Sequence, residues 1–171
     1  MTQEEIDKHF MDIAIAYAMK AKERQDYGIG ALITKNNALV AGAGNTRDQF
    51  PLDPTVHTET AVIKLACEML GTRYLTGCTL YSTHAPCAMC LCACVWAKVS
   101  RVVYGSTQKD MVEHSKEYGE YGGKVDGSDL RAIKWRGTEI EPEDLYPYLK
   151  IANPNMEIVS CFMQEECKKL Y

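Results

Sequence analysis

Four side chains carry the chemistry of this sequence: His57, Glu59, Cys87 and Cys90. They stand in two groups, His57-Thr58-Glu59 and Pro86-Cys87-Ala88-Met89-Cys90. One imidazole and two thiolates supply three corners of a tetrahedral Zn²⁺ site and leave the fourth for water. Glu59, two residues beyond His57, is a carboxylate placed to carry protons for that water. Metal-assisted hydrolysis needs both the open position and such a group. A closed structural site would show four protein ligands, often two Cys-x-x-Cys pairs, and here there is one pair. His84, three residues before Cys87, is the alternative fourth ligand, set against the plainer reading of an exposed histidine at a strand end. A zinc-stapled interaction module is the rival from a different class. A purely structural site has no need of Glu59.

The surrounding elements must bring these groups together. Pro86 suits the first position of a helix, where its missing N–H would be unpaired anyway. Cys87 and Cys90 then share one face of the first turn, and the partial positive charge of the helix start favours thiolates. His57 and Glu59 are two apart, so His57 belongs where a helix begins, with Glu59 reaching the water from another side. Asp53-Pro54 offers an N-cap and first residue for that helix, which runs to about Leu70 and stops at Gly71.

The rest of the chain fills in the frame. Apolar residues at Ile6, Phe10, Ile13, Tyr17 and Ala18 predict an amphipathic helix from about Gln3 to Arg24. Ile29–Thr34 and Ala38–Ala43 flank Lys35-Asn36-Asn37 as a hairpin, followed by a loop from Gly44 to Phe50. Cys78–Thr83 reads as a buried strand, the Pro86 helix carries on to about Ala97, and Val99–Tyr104 is a strand closed by Gly105. From Ser106 to Pro154 the pattern loosens, with a Tyr/Gly-rich stretch (Tyr118, Gly119, Tyr121, Gly122, Gly123), a turn at Asp126-Gly127 and short helices over Asp129–Arg136 and Pro142–Ile151. A lid, an oligomer surface and a plain insertion are the readings of this region. Met156–Met163 predicts a last strand and Gln164–Tyr171 a closing helix. Five strands alternating with helices imply an α/β, three-layer α/β/α domain over residues 1–171, with a mixed central sheet. The two halves of the zinc site fall at helix starts beside strand ends, where such sheets place ligands.

Composition bounds the partners. The 171 residues are 46% hydrophobic and 25% charged, the balance of an ordinary globular protein. Nineteen basic against twenty-three acidic residues give a net charge of −4, which argues against a broad nucleic-acid surface. No basic-then-apolar leader and no apolar run of membrane-spanning length are present, so a cytoplasmic protein without membrane contact is expected. The eight cysteines are read as metal ligands at 87 and 90 and otherwise as small buried apolar residues, not disulfides.

The pattern H-x-E followed by P-C-x-x-C is the signature of zinc deaminases. The chain resembles the cytidine-deaminase-like fold, in particular the branch of bacterial guanine deaminases and tRNA adenosine deaminases. The resemblance rests on Asn45, Asp53-Pro54-Thr55-Val56-His57, Glu59, Pro86 to Cys90 and Arg101-Val102-Val103-Tyr104-Gly105. It implies one Zn²⁺ per chain on His57, Cys87 and Cys90, Glu59 as the proton shuttle, and Asn45 as a substrate hydrogen-bonding group. From the residues alone, Asn45 after Gly44 would read as a turn-forming Asn. Thr58, Ala85 and Pro86 are expected to line the substrate. Three departures stand out: Thr58 where an Ala is usual, Ala85 where many relatives carry Glu, and no Gly-Phe-Asp-Asp segment. Glu113, Glu117 and the Tyr/Gly-rich stretch stand where that segment would supply a second acidic group. The resemblance implies a hydrolytic deaminase of a nucleobase amine, guanine-type aminopurines first on the acidic balance. An adenosine in tRNA, or cytosine, a nucleoside or another aminated heterocycle, is the alternative. Relatives of this fold are homo-oligomers, which implies a homodimer, with the Met/Cys/Trp-rich helix from Cys90 to Trp96 as the contact face.

Overall fold

The computed structural model describes residues 1–24, 26–45, 53–118 and 140–171, with the side chains of 115–118 left aside. Helix α1 (Gln3–Glu23) is started by Thr2, whose hydroxyl accepts the Glu5 N–H while the Glu5 carboxylate takes the Thr2 N–H. Strands β1 (Gly30–Lys35) and β2 (Ala38–Gly44) form the expected hairpin. Its turn residues Asn36 and Asn37 both have positive φ, 50° and 57°, the geometry that matches strand twist and that Asn tolerates. Helix α2 (Thr58–Leu70) ends at Gly71 in the left-handed conformation (φ 62°). Then come β3 (Cys78–His84), α3 (Ala88–Trp96), β4 (Arg101–Ser106), α4 (Gln108–Tyr118), α5 (Pro142–Leu149), β5 (Glu157–Val159) and α6 (Gln164–Lys168).

The sheet runs β2-β1-β3-β4-β5. β1 pairs antiparallel with β2 and β3, whereas β3–β4 and β4–β5 are parallel. Parallel neighbours require a crossover, and α3 supplies the one between β3 and β4. Alternation along each strand divides the core in two. Ile33, Leu80 and Val102 face α2, α3 and α5 through Val62, Ile63, Leu91, Val95 and Tyr146. Leu32, Tyr81 and Val103 face α1 and α6 through Phe10, Met11, Ala14 and Cys167. The result is the expected three-layer α/β/α arrangement on a mixed five-stranded sheet. Gly30 lets α1 lie directly on β1, since a Cβ there would stand 2.0 Å from the Ala14 carbonyl oxygen.

Several sequence readings shift. Helix α2 begins at Thr58, not at Pro54, because Asp53 turns back on Thr55 (N–H to Oδ1 2.9 Å) and holds residues 53–55 in a local turn. Helix α3 begins at Ala88, so Pro86 lies ahead of the helix and Cys87 is its N-cap. The last strand keeps only Glu157–Val159, since Cys161 and Met163 adopt positive φ. Helix α4 lies in the region read as loose. The helix expected over Asp129–Arg136 and the turn at Asp126-Gly127 fall outside the described residues, as do Gly119 and Tyr121 to Gly123 of the Tyr/Gly-rich stretch. Within the helix expected to supply a dimer face, Leu91, Cys94 and Val95 are buried against their own sheet and Cys90 is buried as well, which leaves Trp96 as its one strongly exposed large apolar residue. No helix among the described residues is long and apolar enough to cross a membrane.

Candidate active site and metal centre

The N-termini of α2 and α3 meet above the end of β3. His57 is the N-cap residue of α2, its N–H held by Thr60 Oγ1 at 2.9 Å. Cys87 caps α3, and Cys90 lies three residues later on the same turn. Helix starts leave backbone N–H groups pointing outward, and their field favours negative charge on both sulfurs. His57 Nδ1 is 3.5 Å from each of Cys87 Sγ and Cys90 Sγ, and the two sulfurs are 3.5 Å apart. Zinc bonds of about 2.3 Å to sulfur and about 2.0–2.1 Å to nitrogen, at the tetrahedral angle, place donors roughly 3.5–3.8 Å apart. The triangle therefore fits one face of a zinc tetrahedron, and among the described residues these three form the group able to hold a metal.

The thiols divide a single charge. Cys87 is drawn down to about 4, chiefly by the hydrogen bond it shares with Cys90, helped by His57. Cys90 moves upward, chiefly through its hydrogen bond with Cys87, with burial also disfavouring a second thiolate. A divalent cation removes that conflict, since both sulfurs can then be anionic.

Glu59, 4% exposed, sits beside this triangle. Its Oε2 lies 3.5 Å from Cys90 Sγ, and its Oε1 accepts a hydrogen bond from Ser82 Oγ at 3.2 Å. Burial pushes its carboxyl upward, the direction that suits a group taking and returning a proton near neutral pH. Ser82 carried no sequence signal: in Cys78–Thr83 it reads as one small residue of a buried strand. Its contact with Glu59 follows from alternation, since neighbouring Tyr81 faces α1 and bonds Asp7 at 2.7 Å.

The other expected residues gather around this centre. Thr58 is buried, and its hydroxyl donates to Asn45 Oδ1 at 3.3 Å. Asn45 is buried as well, its Nδ2 donating to Asp26 Oδ1 at 2.6 Å. Asp26 was not foreseen, because an acid in the link after α1 reads as a solvated turn residue. Ala85 and Pro86 are buried beside Cys87, and the Ala85 carbonyl accepts from Gln108 Nε2 at 2.7 Å. His84 is buried, not exposed, and its Nδ1 lies 3.2 Å from both Ser106 Oγ and Tyr171 Oη. It stands outside the donor triangle. Burial lowers its pKa to about 4, so its ring is neutral at pH 7. Glu113 is exposed, 3.9 Å from Lys109 Nζ, and does not reach the centre; the side chain of Glu117 lies outside the described residues. All eight cysteines are free thiols.

Residues 4–106 match the family model described as the cytidine and deoxycytidylate deaminase zinc-binding region. The chain is 41% identical over 98 residues to a tRNA-specific adenosine deaminase of Agrobacterium fabrum, covering 57% of this chain and 64% of that protein. It is 39% identical over 84 residues to a guanine deaminase of Bacillus subtilis, covering 49% and 53%. The chain thus spans just under two thirds of the Agrobacterium relative and about half of the Bacillus one. Among solved structures, one from work on A-to-I editing by tRNA:A34 deaminases at the wobble position superposes with a TM-score of 0.64 at 29% identity, covering 96% of this chain and 99% of that one. With that model matched over residues 4–106 and His57, Cys87 and Cys90 brought together within the span, the chain belongs to the cytidine and deoxycytidylate deaminase family.

Proposed function

We propose that the chain is a hydrolytic deaminase that replaces the exocyclic amine of a nucleobase with oxygen and releases ammonia. The observation that carries this reading is a buried carboxylate, Glu59, seated against a three-donor zinc site at two helix starts. Bound on His57, Cys87 and Cys90, Zn²⁺ supplies Lewis acidity that brings the pKa of water toward neutrality. Glu59 takes the proton of the attacking water and delivers it to a ring nitrogen. Glu59 then takes the proton of the hydroxyl newly bonded to the ring carbon and hands it to the departing amine, so that ammonia leaves as the carbonyl forms. Ser82 holds one carboxylate oxygen, leaving the other facing the donor triangle where the transfers occur. Asn45 orients the ring by hydrogen bonding, and Thr58, Ala85 and Pro86 wall it.

The substrate we favour is a guanine-type aminopurine free base, supported by the net charge of −4 and by similarity to guanine deaminase. A second reading, an adenosine within tRNA, is favoured by the 41% identity to a tRNA-specific adenosine deaminase. The setting we infer is a cytoplasmic single domain, in keeping with eight free thiols. We also infer a homodimer, for which exposed Trp96 on α3 and Met69 on α2 offer apolar contacts; light scattering at micromolar concentration checks it, and a monomeric mass refutes it.

The test is ammonia release by zinc-loaded protein from guanine, adenine, adenosine, cytosine and cytidine, with a tRNA transcript scored for inosine. Release from guanine supports the first reading. Conversion of tRNA alone selects the second. Silence across the panel at full zinc occupancy overturns both.

A further inference from the structure

Asp26 lies in the link between α1 and β1, 7% exposed, and is not one of the three donors of the metal centre. Its Oδ1 accepts the Tyr27 N–H at 2.8 Å and Asn45 Nδ2 at 2.6 Å. A carboxylate offers acceptors only, so it dictates which end of the Asn45 amide faces it: the NH₂ end. The carbonyl end of Asn45 is then left to receive the Thr58 hydroxyl at 3.3 Å. The Asn45 backbone is held too, its N–H by the Ile29 carbonyl at 2.8 Å and its carbonyl by Arg24 Nη2 at 3.1 Å. Thr58 stands between His57 and Glu59, so this clamp is tied directly to the catalytic segment. After these contacts Asn45 retains one amide hydrogen and one carbonyl lone pair.

We propose that Asp26 is a positioning residue that locks the Asn45 amide in one orientation, so that its remaining N–H meets an acceptor on the edge of the substrate heterocycle. The proposal rests on the reading of Asn45 as a substrate-binding residue. Without Asp26 the amide turns end for end at little cost, exchanging donor for acceptor toward the ligand. Rings presenting an unprotonated nitrogen or a carbonyl oxygen at that edge are selected, and rings presenting N–H there are disfavoured. Thr58 reinforces the choice from the carbonyl side, which gives a task to the hydroxyl that distinguishes this chain's His-Thr-Glu segment.

The test compares Asp26→Ala, Asp26→Asn and Asn45→Ala with the unaltered zinc-loaded protein by two measurements. The first is ligand-free: the Asn45 side-chain amide pair in ¹H–¹⁵N spectra, assigned by its disappearance in Asn45→Ala. A proton hydrogen-bonded to the carboxylate should lie downfield, return toward the free-amide position in Asp26→Ala, and stay downfield in Asp26→Asn, whose carbonyl still accepts. The second is kinetic, with whichever panel base has the highest kcat/KM. Asp26→Ala should raise KM about tenfold or more with kcat little changed, as expected for losing a charge-assisted hydrogen bond. Asp26→Asn should restore KM to within about threefold. A merely structural role would move zinc content and melting temperature, and would leave this KM–kcat split and the rescue unseen. An unmoved Asn45 resonance in Asp26→Ala overturns the proposal. So does an unchanged KM in Asp26→Ala when Asn45→Ala raises it. Unchanged KM in Asn45→Ala itself overturns the prior reading of Asn45, and the two failures are distinct. If Asp26→Ala does not fold, Asp26→Ser serves, because its shorter hydroxyl does not reach Nδ2.

Discussion

The most quantitative expectation concerns Asp7, on the face of the sheet away from the zinc site. Arg101 Nη1 and Nη2 reach Asp7 Oδ1 and Oδ2 at 2.6 and 2.8 Å, and Tyr81 Oη donates to Oδ1 at 2.7 Å. Burial pushes the Asp7 carboxyl up, but the hydrogen bonds from Arg101, Tyr81 and Gln3 outweigh it and hold it below the ordinary 3.8. Asp7→Ala strands the Arg101 guanidinium and the Tyr81 hydroxyl. Removing one partner of a buried pair costs about 3–5 kcal/mol. Arg101 retains Glu157 at 2.9 Å, 60% exposed, which favours the low end, about 3 kcal/mol. An unfolding entropy of about 2.1 cal/mol/K per residue gives about 0.36 kcal/mol/K for 171 residues. The melting temperature should therefore drop by about 8 °C at pH 7. Differential scanning calorimetry checks this. The double variant Asp7→Leu/Arg101→Met should lose less than Asp7→Leu alone, since no charge is left unpaired. The folded carboxyl is depressed, so its contribution is present above the ordinary carboxylate range and is lost on acidification. The gap between wild type and Asp7→Ala should accordingly narrow below about pH 4. Zinc content should be unchanged, because Tyr81 and Ser82 face opposite sides of β3. A loss under about 2 °C, or a double variant as damaged as the single one, would refute the reasoning.

Glu59→Gln should keep zinc and KM while kcat falls roughly 10²–10⁴-fold; turnover within about tenfold of wild type contradicts the shuttle role. Cys87→Ala and Cys90→Ala should each purify well below one zinc per chain by metal analysis, and full occupancy would turn attention to Cys92 and Cys94. His84 is held neutral, its pKa lowered by burial from 6.5 to about 4. The unfolded chain takes that proton first, so stability is full above about 6.5 and falls toward pH 4, by about 3 kcal/mol in all. His84→Leu should flatten the acid decline in melting temperature over that window, and an unchanged slope would show the charge to be solvated.

The convergence of His57, Cys87 and Cys90 was legible because metal chemistry restricts residue type and spacing together, so a short pattern suffices. The hairpin at Asn36-Asn37 and the stop at Gly71 were legible for a similar reason, since both positions need a positive φ. Boundaries that depend on competing local hydrogen bonds were not. Pro54 and Pro86 each suit a first helical position, yet Asp53 closes its own turn and Cys87 takes the cap. Helix α4 was missed because its polar residues and the Tyr/Gly-rich stretch beyond it mask its periodicity. Ser82 and Asp26 were invisible for another reason. Each is a common residue in ordinary surroundings, and its role comes from a partner 23 or 19 positions away that only the folded sheet brings near.

The donor triangle also has a consequence for the chain as a polymer. His57 lies 30 residues before Cys87, with α2 and β3 between them, so an ion held by both closes a loop of that length. A cross-link around about 30 residues removes roughly 3–4 kcal/mol of unfolded-chain entropy. Helix α2, inside that loop, and the first turn of α3, which carries Cys90, then melt against a tether as well as against their own packing. Chelation should therefore loosen these two helices before the α1 side of the sheet, and hydrogen exchange would register the metal's departure in α2 and α3 first.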